Sequence, residues 1–562
     1  MKAANTIDFV VIALYMILNL CIGVYFMRYN RGASDYFRGS NRIPWLVAGL
    51  SSFMSGFSAW TFTGAAGVAY QQGMAAVMLY VGNACSFLLG YFIFGSIWRR
   101  SRVSTTMEYL ADRFNQPTRQ VFSWTTIFFQ IFMAGSMLYG LGLFVASASG
   151  ASIEWTIFVS GAVIIFYCVV GGLWAVVVTD FLQAVVLLPF TLVLAVTALL
   201  KVGGLTGLWG ALPPEMLSLK LPMEFGWRYV AAWTVMVSFG YNTSAMAQRY
   251  FSVDSERSAK KVALLCFVLF LFGACIWFIP PMAMRVLYPD LRSIWPGVAN
   301  AHEAAYAVAS LTLLPNGLVG IMLASMFSAT MSSLSGLYNL YAAIISKDIY
   351  QTIFERNAGE KRLLVVGWIS TLGVGIVVTA TAIVMAATGQ SIFQMMLTFN
   401  TIMSLAYGPP ALLGLVVRRT PSWSGLASFS VSLVVGCLGA FVYNWGLITN
   451  VVVIIPVSVA IFMLSKFVPE RDENFIERRE RLVRRLDTAV DVSVELKDSV
   501  DMTTPVFRFL SAATAGIGLL SLCLLLTTPE AQRGTVLSYA AVTLVIAALL
   551  RLVRGRRSVR PA

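Results

Sequence analysis

The sequence predicts an all-α protein of about fifteen membrane-crossing helices, and three observations predict it. Residues of the set AVILMFWYC form 58% of the 562 residues and charged residues only 12%, whereas a soluble domain carries about 25% charged residues. Apolar stretches of about 18 residues or more, enough to cross a hydrocarbon core as a helix, recur along the whole chain. Lys and Arg gather in alternate loops, as the positive-inside rule demands of a chain that crosses a bilayer repeatedly. Such a chain needs the bilayer as solvent, where backbone groups must be satisfied internally.

The spans read at 7–27, 44–70, 73–98, 120–149, 153–172, 175–200, 229–248, 262–284, 312–346, 363–388, 391–417, 424–446, 450–465, 509–528 and 534–550. Span 1 runs into Arg28 and Arg31 without a small-x-small ending, so it reads as a retained helix and not a cleaved signal peptide. With the N-terminus outside, loops 28–42, 99–119, 249–261, 347–362, 418–419, 466–508 and 551–560 are cytoplasmic and hold 33 of the 40 Lys and Arg residues. The C-terminus is then cytoplasmic, in a multi-pass protein of the cell (plasma or inner) membrane.

The net charge of +14 becomes an orientation signal with contact to anionic lipid headgroups. The basic residues are dispersed among loops and form no single face, which argues against nucleic acid as a partner. Seven cysteines lie inside apolar spans without CxxC spacing and read as small core residues, implying neither disulfide nor metal. No His, Cys or paired carboxylates converge in the spans, which excludes a membrane enzyme. The lone His302, in an outer loop beside Glu303, reads as an ordinary exposed residue.

Spans 2 and 7 break the helix-forming rules. SSFMSGFSAWTFTGAAG in span 2 and SFGYNTSAMAQ in span 7 put Gly, Ser, Thr and Asn where Leu, Ile and Val are expected. Weak helix formers at corresponding places, five spans apart, point to inverted repeats with helices 2 and 7 unwound at the midplane. Small residues also allow close helix packing, the plainer reading of either segment alone.

Asp180, in YCVVGGLWAVVVTDFLQ, is the only carboxylate well inside a long apolar stretch. An ionised Asp at a helix centre costs about 2.5–3.5 kcal/mol, so it faces a partner, a cavity or an ion. In span 9, Ala329, Ser332 and Ser333 stand at i, i+3 and i+4, with Ser335 nearly a turn on. One turn thus offers a carbonyl and two hydroxyls on one face, uncharged oxygens of the kind a hard monovalent cation takes. The competing use of such hydroxyls is bonding to the carbonyl four residues back.

The run MSSLSGLYNLYAAIISKDIY closely resembles the ninth-span signature of the sodium:solute symporter family. YCVVGGLWAVVVTDFLQ resembles that family's Tyr…Gly-Gly…Ala-Val…Thr-Asp…Gln signature, with supporting matches in DYFRGSNRIPW at 35–45, Gln248-Arg249 and GPPALLGLVVRR at 408–419. The resemblance implies a leucine-transporter-type core. Its parts are an extra helix (1–43), a first inverted repeat of spans 2–6 (44–201) and a second of spans 7–11 (229–419). Accessory spans 12–13 (420–468), a cytoplasmic amphipathic linker (469–505) and spans 14–15 with a basic tail (506–562) follow.

By the same resemblance, sodium is held by the carbonyls of Met54, Phe57 and Ala329 and the hydroxyls of Ser332 and Ser333. A second position, for sodium or a proton, falls to Asp180 and Ser335, with Gly336 standing where another hydroxyl is expected; an electrostatic or a structural role for Asp180 stays open. The solute is expected beside the breaks, near Gly56, Trp60, Thr61, Thr63, Tyr80, Asn242, Ser244 and Asn400.

The fragment FSAWTFTGAAG is similar to the Ser-Gly-Trp motif of sodium/proline symporters, with Ala59 for Gly. That favours a small amino acid or carboxylate, with a sugar or polyol as the alternative. No Lys or Arg reads as mid-membrane, so an anion would rely on helix dipoles. The expected activity is sodium-coupled symport by alternating access. A solute sensor is the other class, but the soluble segment after span 13 is too short for a kinase domain. In the linker, Phe475, Ile476, Leu482, Val483, Leu486 and Val490 recur at helical spacing, so it is expected to lie on the membrane or the inner loops.

Overall fold

The computed structural model describes residues 5–27, 43–103, 105–217, 226–293, 300–389, 391–495 and 503–553. Every regular element among them is helical. Eleven helices are long and apolar enough to cross a membrane. The remaining expected segments coincide with the shorter apolar stretches Thr6–Asn19, Trp45–Ser55 and Ile153–Val169 and with the broken pair Trp227–Tyr241 and Ser244–Phe251.

In chain order, α1 (Thr6–Met27) precedes a helix broken into α2 (Trp45–Ser55), α3 (Ala59–Phe62) and α4 (Gly64–Gln72). Then come α5 (Met74–Leu89), a π turn, α6 (Gly95–Ser101), α7 (Thr106–Arg113) and α8 (Gln116–Ser149). The starts of α7 and α8 are set by Thr105, which accepts from Glu108 N at 3.0 Å, and Asn115, which accepts from Thr118 N at 2.8 Å, so first-turn amides are satisfied. Next, α9 (Ile153–Lys201) is one unbroken run of helical residues, yet it holds two spans. The Tyr167 hydroxyl meets the Thr179 hydroxyl twelve residues on, whereas a straight helix would separate them by about 18 Å. The chain therefore folds back between Tyr167 and Thr179.

The second half holds α10 (Trp227–Tyr241), α11 (Ser244–Phe251), α12 (Glu256–Trp277), α13 (Ile279–Leu287), α14 (Ala305–Leu313) and α15 (Leu318–Ala343). It continues through α16 (Glu360–Thr388), α17 (Ile392–Val416), α18 (Ser424–Phe441), α19 (Leu447–Leu464), α20 (Glu473–Asp487), α21 (Thr503–Cys523) and α22 (Glu530–Leu552). All residues of α15 are buried. Its Ala, Ser and Gly content lets neighbouring helices approach closely, which makes it the core of the bundle. Large apolar side chains on outer helices, such as Phe92, Trp124, Phe166 and Ile369, are exposed, the pattern of a surface solvated by hydrocarbon.

Helix α1 is bolted to α15. Asp8 is buried, and its Oδ1 accepts from Gly317 N at 2.6 Å and Gly320 N at 2.8 Å, capping the helix that carries Ala329, Ser332 and Ser333. Glycine at 320 is required by this approach, because a Cβ there would sit 2.6 Å from the Asp8 carbonyl oxygen. Asp8→Ala leaves two interior amides unmatched, at a cost of about 1–3 kcal/mol. The expected result is a lowered unfolding midpoint in detergent, and an unchanged one would refute the bolt.

The linker docks on the loops of the basic face. Phe475, Leu482 and Leu486 are buried, while Ile476, Val483 and Val490 are half-buried. Arg485 pairs with Asp112, Arg478 donates to Phe114 O at 2.9 Å, and Arg418 meets Asp487 at 2.7 Å. The Arg418 hydrogen bond holds the Asp487 carboxyl below its ordinary range. Glu495 bridges Arg99 at 3.2 Å and Arg102 at 2.7 Å. Residues 496–502 of the expected linker, and DYFRGSNR at 35–42, lie outside the described residues.

Candidate functional site

Both expected breaks are present. α2 ends at Ser55 and helix resumes at Ala59, with Gly56 to Ser58 between; α10 ends at Tyr241 and α11 starts at Ser244. Gly56 ends α2 at φ −90° and ψ 0°, so that Met54 O accepts only the tighter bond from Phe57 N, at 3.1 Å, in place of a continuing helical one.

The carbonyls at this break face α15. The Ser333 hydroxyl stands 3.3 Å from Met54 O, 3.5 Å from Ser55 O, 3.3 Å from Phe57 O and 3.2 Å from Ala329 O. A single hydroxyl donates to one acceptor at a time, so a proton on Ser333 cannot satisfy all four. The surplus is acceptor capacity gathered at one buried point, which a small cation would neutralise. Ser332 Oγ is buried and stands beside the Asp180 carboxylate. Ser335 Oγ instead donates to Ser332 O at 3.0 Å, the back-bonding use of a helical hydroxyl.

Asp180 has a counter-ion that the loop assignment concealed. Arg249, expected to open a cytoplasmic loop, lies within α11 and is fully buried. Its Nη2 is 3.7 Å from Asp180 Oδ2. Ser51 joins the pair, donating to Asp180 Oδ2 at 2.5 Å and accepting from Arg249 Nε at 3.0 Å. Arg249 Nη2 also donates to Ser55 Oγ at 3.2 Å, one residue from the break. Asp180 Oδ1 remains without a hydrogen-bond partner among the described residues. Nor is Asp180 the only interior carboxylate: Asp8, Glu303 and Asp348 are buried as well, near the ends of helices where the hydropathy pattern hides them.

Beside this cluster lies a cavity of about 140 Å³ whose wall includes Gly56, Trp60, Asn83, Gln130, Trp233, Thr243, Asn400, Ser404 and Tyr407. Ser333 belongs to the same wall, so cation position and cavity are contiguous. Among the described residues no Asp, Glu, Lys, Arg or His lines it. Of the residues expected near solute, Gly56, Trp60 and Asn400 line the cavity. Thr61, Thr63, Tyr80 and Asn242 stand behind its wall, and the Ser244 side chain lies outside the described residues.

Tyr80 spends its hydroxyl on Thr61 Oγ1 at 2.8 Å. Asn242 holds the break itself, its side-chain amide donating to Ser86 O at 3.1 Å and Ser238 O at 2.9 Å while its main-chain carbonyl accepts from Trp98 Nε1 at 2.8 Å. Gln130 was missed, although it is the only amide between Val121 and Ser149 in α8, a signal of the same kind as Asp180. Its Oε1 is buried without a partner. Asn83 was missed too, and its Oδ1 accepts from Trp233 Nε1 at 2.8 Å.

Trp60 stacks on Trp233 at 6.1 Å and on Phe393 at 5.9 Å between centroids, with interplanar angles of 11° and 17°. His302, expected to be exposed, is half-buried against α4; burial and then Arg292 lower its proton affinity.

Comparison with known proteins agrees with this architecture. A rat sodium/glucose cotransporter 2 is 27% identical over 471 residues, covering 74% of this chain and 68% of the relative. A mouse sodium/myo-inositol cotransporter is 29% identical over 410 residues, covering 64% of this chain and 56% of the relative. The solved substrate-bound, outward-open structure of a Na+-coupled sialic acid symporter superposes with a TM-score of 0.74 at 21% identity, covering 83% of this chain and 98% of that one, and so shares the fold. The model of the sodium:solute symporter family matches residues 36–430. With sodium as the coupling ion and a small solute as cargo, this chain belongs to the sodium:solute symporter family.

Proposed function

We propose that this chain imports a small, neutral, polyhydroxylated solute, a sugar or polyol, together with sodium. The observation that carries the reading is the cavity wall. It offers the amides of Asn83, Gln130 and Asn400, the hydroxyl of Ser404 and the rings of Trp60, Trp233 and Tyr407, with no charged side chain among the described residues. Amides hydrogen-bond hydroxyls as donor and acceptor, and flat rings cover the apolar faces of such solutes. Relatives named for glucose and myo-inositol support the same class. A small amino acid or carboxylate is the second reading, favoured by Thr243, which stands at the N-terminus of α11 without capping it and lines the cavity, because a helix N-terminus attracts negative charge.

Sodium is bound in this proposal by Met54, Phe57 and Ala329 carbonyls and by Ser332 and Ser333 hydroxyls, between two inverted repeats, 44–201 and 229–419. Asp180 serves as the electrostatic partner of that position through Arg249 and Ser51, with Ser335 turned to its own helix. The basic loops face the cytoplasm. One sodium moving across 100 mV supplies about 2.3 kcal/mol and a tenfold gradient adds about 1.4, which together sustain roughly a 500-fold solute gradient.

Uptake into proteoliposomes under an inward sodium gradient, over a panel of polyols, sugars, amino acids and carboxylates, tests the reading. Sodium-dependent uptake confined to carboxylates would overturn it. Gln130→Ala and Asn400→Ala are expected to weaken solute binding roughly tenfold each while sodium binding without solute is retained. Unchanged solute affinity in both would place the cargo elsewhere.

A further inference from the structure

On the face opposite the basic loops, a short 3-10 turn at Ala301–Ala304 carries Glu303, which is 1% exposed. Its Oε1 accepts from the Ser391 hydroxyl at 2.7 Å and from Phe393 N at 3.4 Å; its Oε2 is buried with no hydrogen-bond partner among the described residues. Ser391 and Phe393 flank the first residue of α17, the helix that carries Asn400 and Ser404 in the cavity wall. Phe393 lies stacked on Trp60 and on Trp233, the latter at 6.2 Å and 7°, and both tryptophans line the cavity. The broken span closes on the same turn: a Cβ on Gly67 would sit 2.8 Å from His302 Cδ2 and 3.2 Å from Glu303 Cγ.

We propose that Glu303 is a positioning residue of the outer gate, its carboxyl latching the 301–304 turn to the start of α17 and thereby holding Phe393 in the aromatic stack beside the cavity. The proposal rests on the symport reading, in which this face is the outer one and must open to admit solute. Opening that face by moving α17 away from the turn breaks both hydrogen bonds at once, and Phe393 leaves Trp60 with them.

A neutral cap would satisfy the same two donors. A carboxyl adds sensitivity to protons, because burial raises its proton affinity above the ordinary range against the opposing bonds from Ser391 and Phe393. On the elements packed against the turn, the described titratable groups are Tyr70 of α4, Tyr139 of α8, Tyr306 of α14 and Tyr407 of α17, together with Arg119 at the far end of α8, which is paired with Asp348. His302 shares the turn and Arg292 acts on His302, while Glu303 is shifted by burial against hydrogen bonds from Ser391, Phe393 and Ile392. With proton affinity raised in the latched state and ordinary once water reaches the group, the proton's contribution to the latch is complete below the ordinary carboxylate range. It is lost as pH rises through the raised value. Acid outside therefore holds the gate shut.

The test is the rate at which an impermeant thiol reagent, applied from outside to proteoliposomes, labels a Val237→Cys reporter in the cavity wall of an otherwise cysteine-free protein. Glu303→Ala is expected to label roughly tenfold faster than the parent, and Ser391→Ala to move the same way. Glu303→Gln keeps the acceptor for Ser391, so its labelling stays slow but loses the parent's dependence on outside pH above the ordinary carboxylate range. Parent-like rates and parent-like pH dependence in Glu303→Ala and Glu303→Gln would overturn the latch. If Glu303→Ala does not fold, the pH profile of Glu303→Gln against the parent decides alone. Labelling of the parent with and without sodium scores the symport reading separately: indifference to sodium would sink that reading and leave the latch to its own variants.

Discussion

Arg249→Ala is expected to abolish transport and destabilise the protein by about 3–5 kcal/mol, the cost of leaving one member of a buried ion pair behind. Both partners are fully buried, and Ser51 is committed to both, so no water replaces the lost guanidinium cheaply. The same change removes a donor from Ser55, next to the break whose carbonyls face Ser333. Asp180→Asn in the Arg249→Ala background removes the stranded charge and should recover part of the stability, because matched removal of both charges is far less costly than removal of one. Unfolding midpoints of the two single variants and the double variant in detergent form the cycle that measures this. Additive losses would mean that the two charges do not act on each other. Asp180→Asn alone should slow transport and shift its sodium dependence; unchanged sodium-to-solute stoichiometry would favour the electrostatic role over a second sodium.

Ser333→Ala is expected to lower sodium affinity by roughly ten- to a hundredfold, the equivalent of about 1–3 kcal/mol for a buried polar contact left unmatched. Its hydroxyl stands within 3.5 Å of the Met54, Ser55, Phe57 and Ala329 carbonyls together. Removing it leaves four acceptors and nothing to bridge them in the absence of a cation. Ser332→Ala should show a smaller loss of the same sign, since that hydroxyl faces the Asp180 carboxylate and not the carbonyls of the break. A sodium titration of thermal stability or of solute-free fluorescence reads both. Curves that overlay the parent in both variants would remove these two hydroxyls from the sodium site.

The sequence by itself determined the helical class, the two broken spans and the turn of α15 that carries Ala329, Ser332 and Ser333. Each of these is a local property: hydropathy over one helix length, helix propensity over a few residues, and a spacing of three or four within one helix. The family signatures belong with them, being contiguous runs of chain.

Only the tertiary structure decided which side chains share a site, because that depends on helices far apart in sequence. Arg249 sits beside a charged segment and reads as a loop residue, yet packing draws it inward to Asp180, 69 positions away in the numbering of the chain. Thr61 and Asn242 look like solute ligands from their place at the breaks; the structure turns them to Tyr80 and to backbone carbonyls behind the wall. Gln130 and Glu303 acquire their meaning only from what faces them, an open cavity in one case and the first turn of α17 in the other. A polar residue in an apolar stretch announces that it must be satisfied, and only the packed neighbours settle by what.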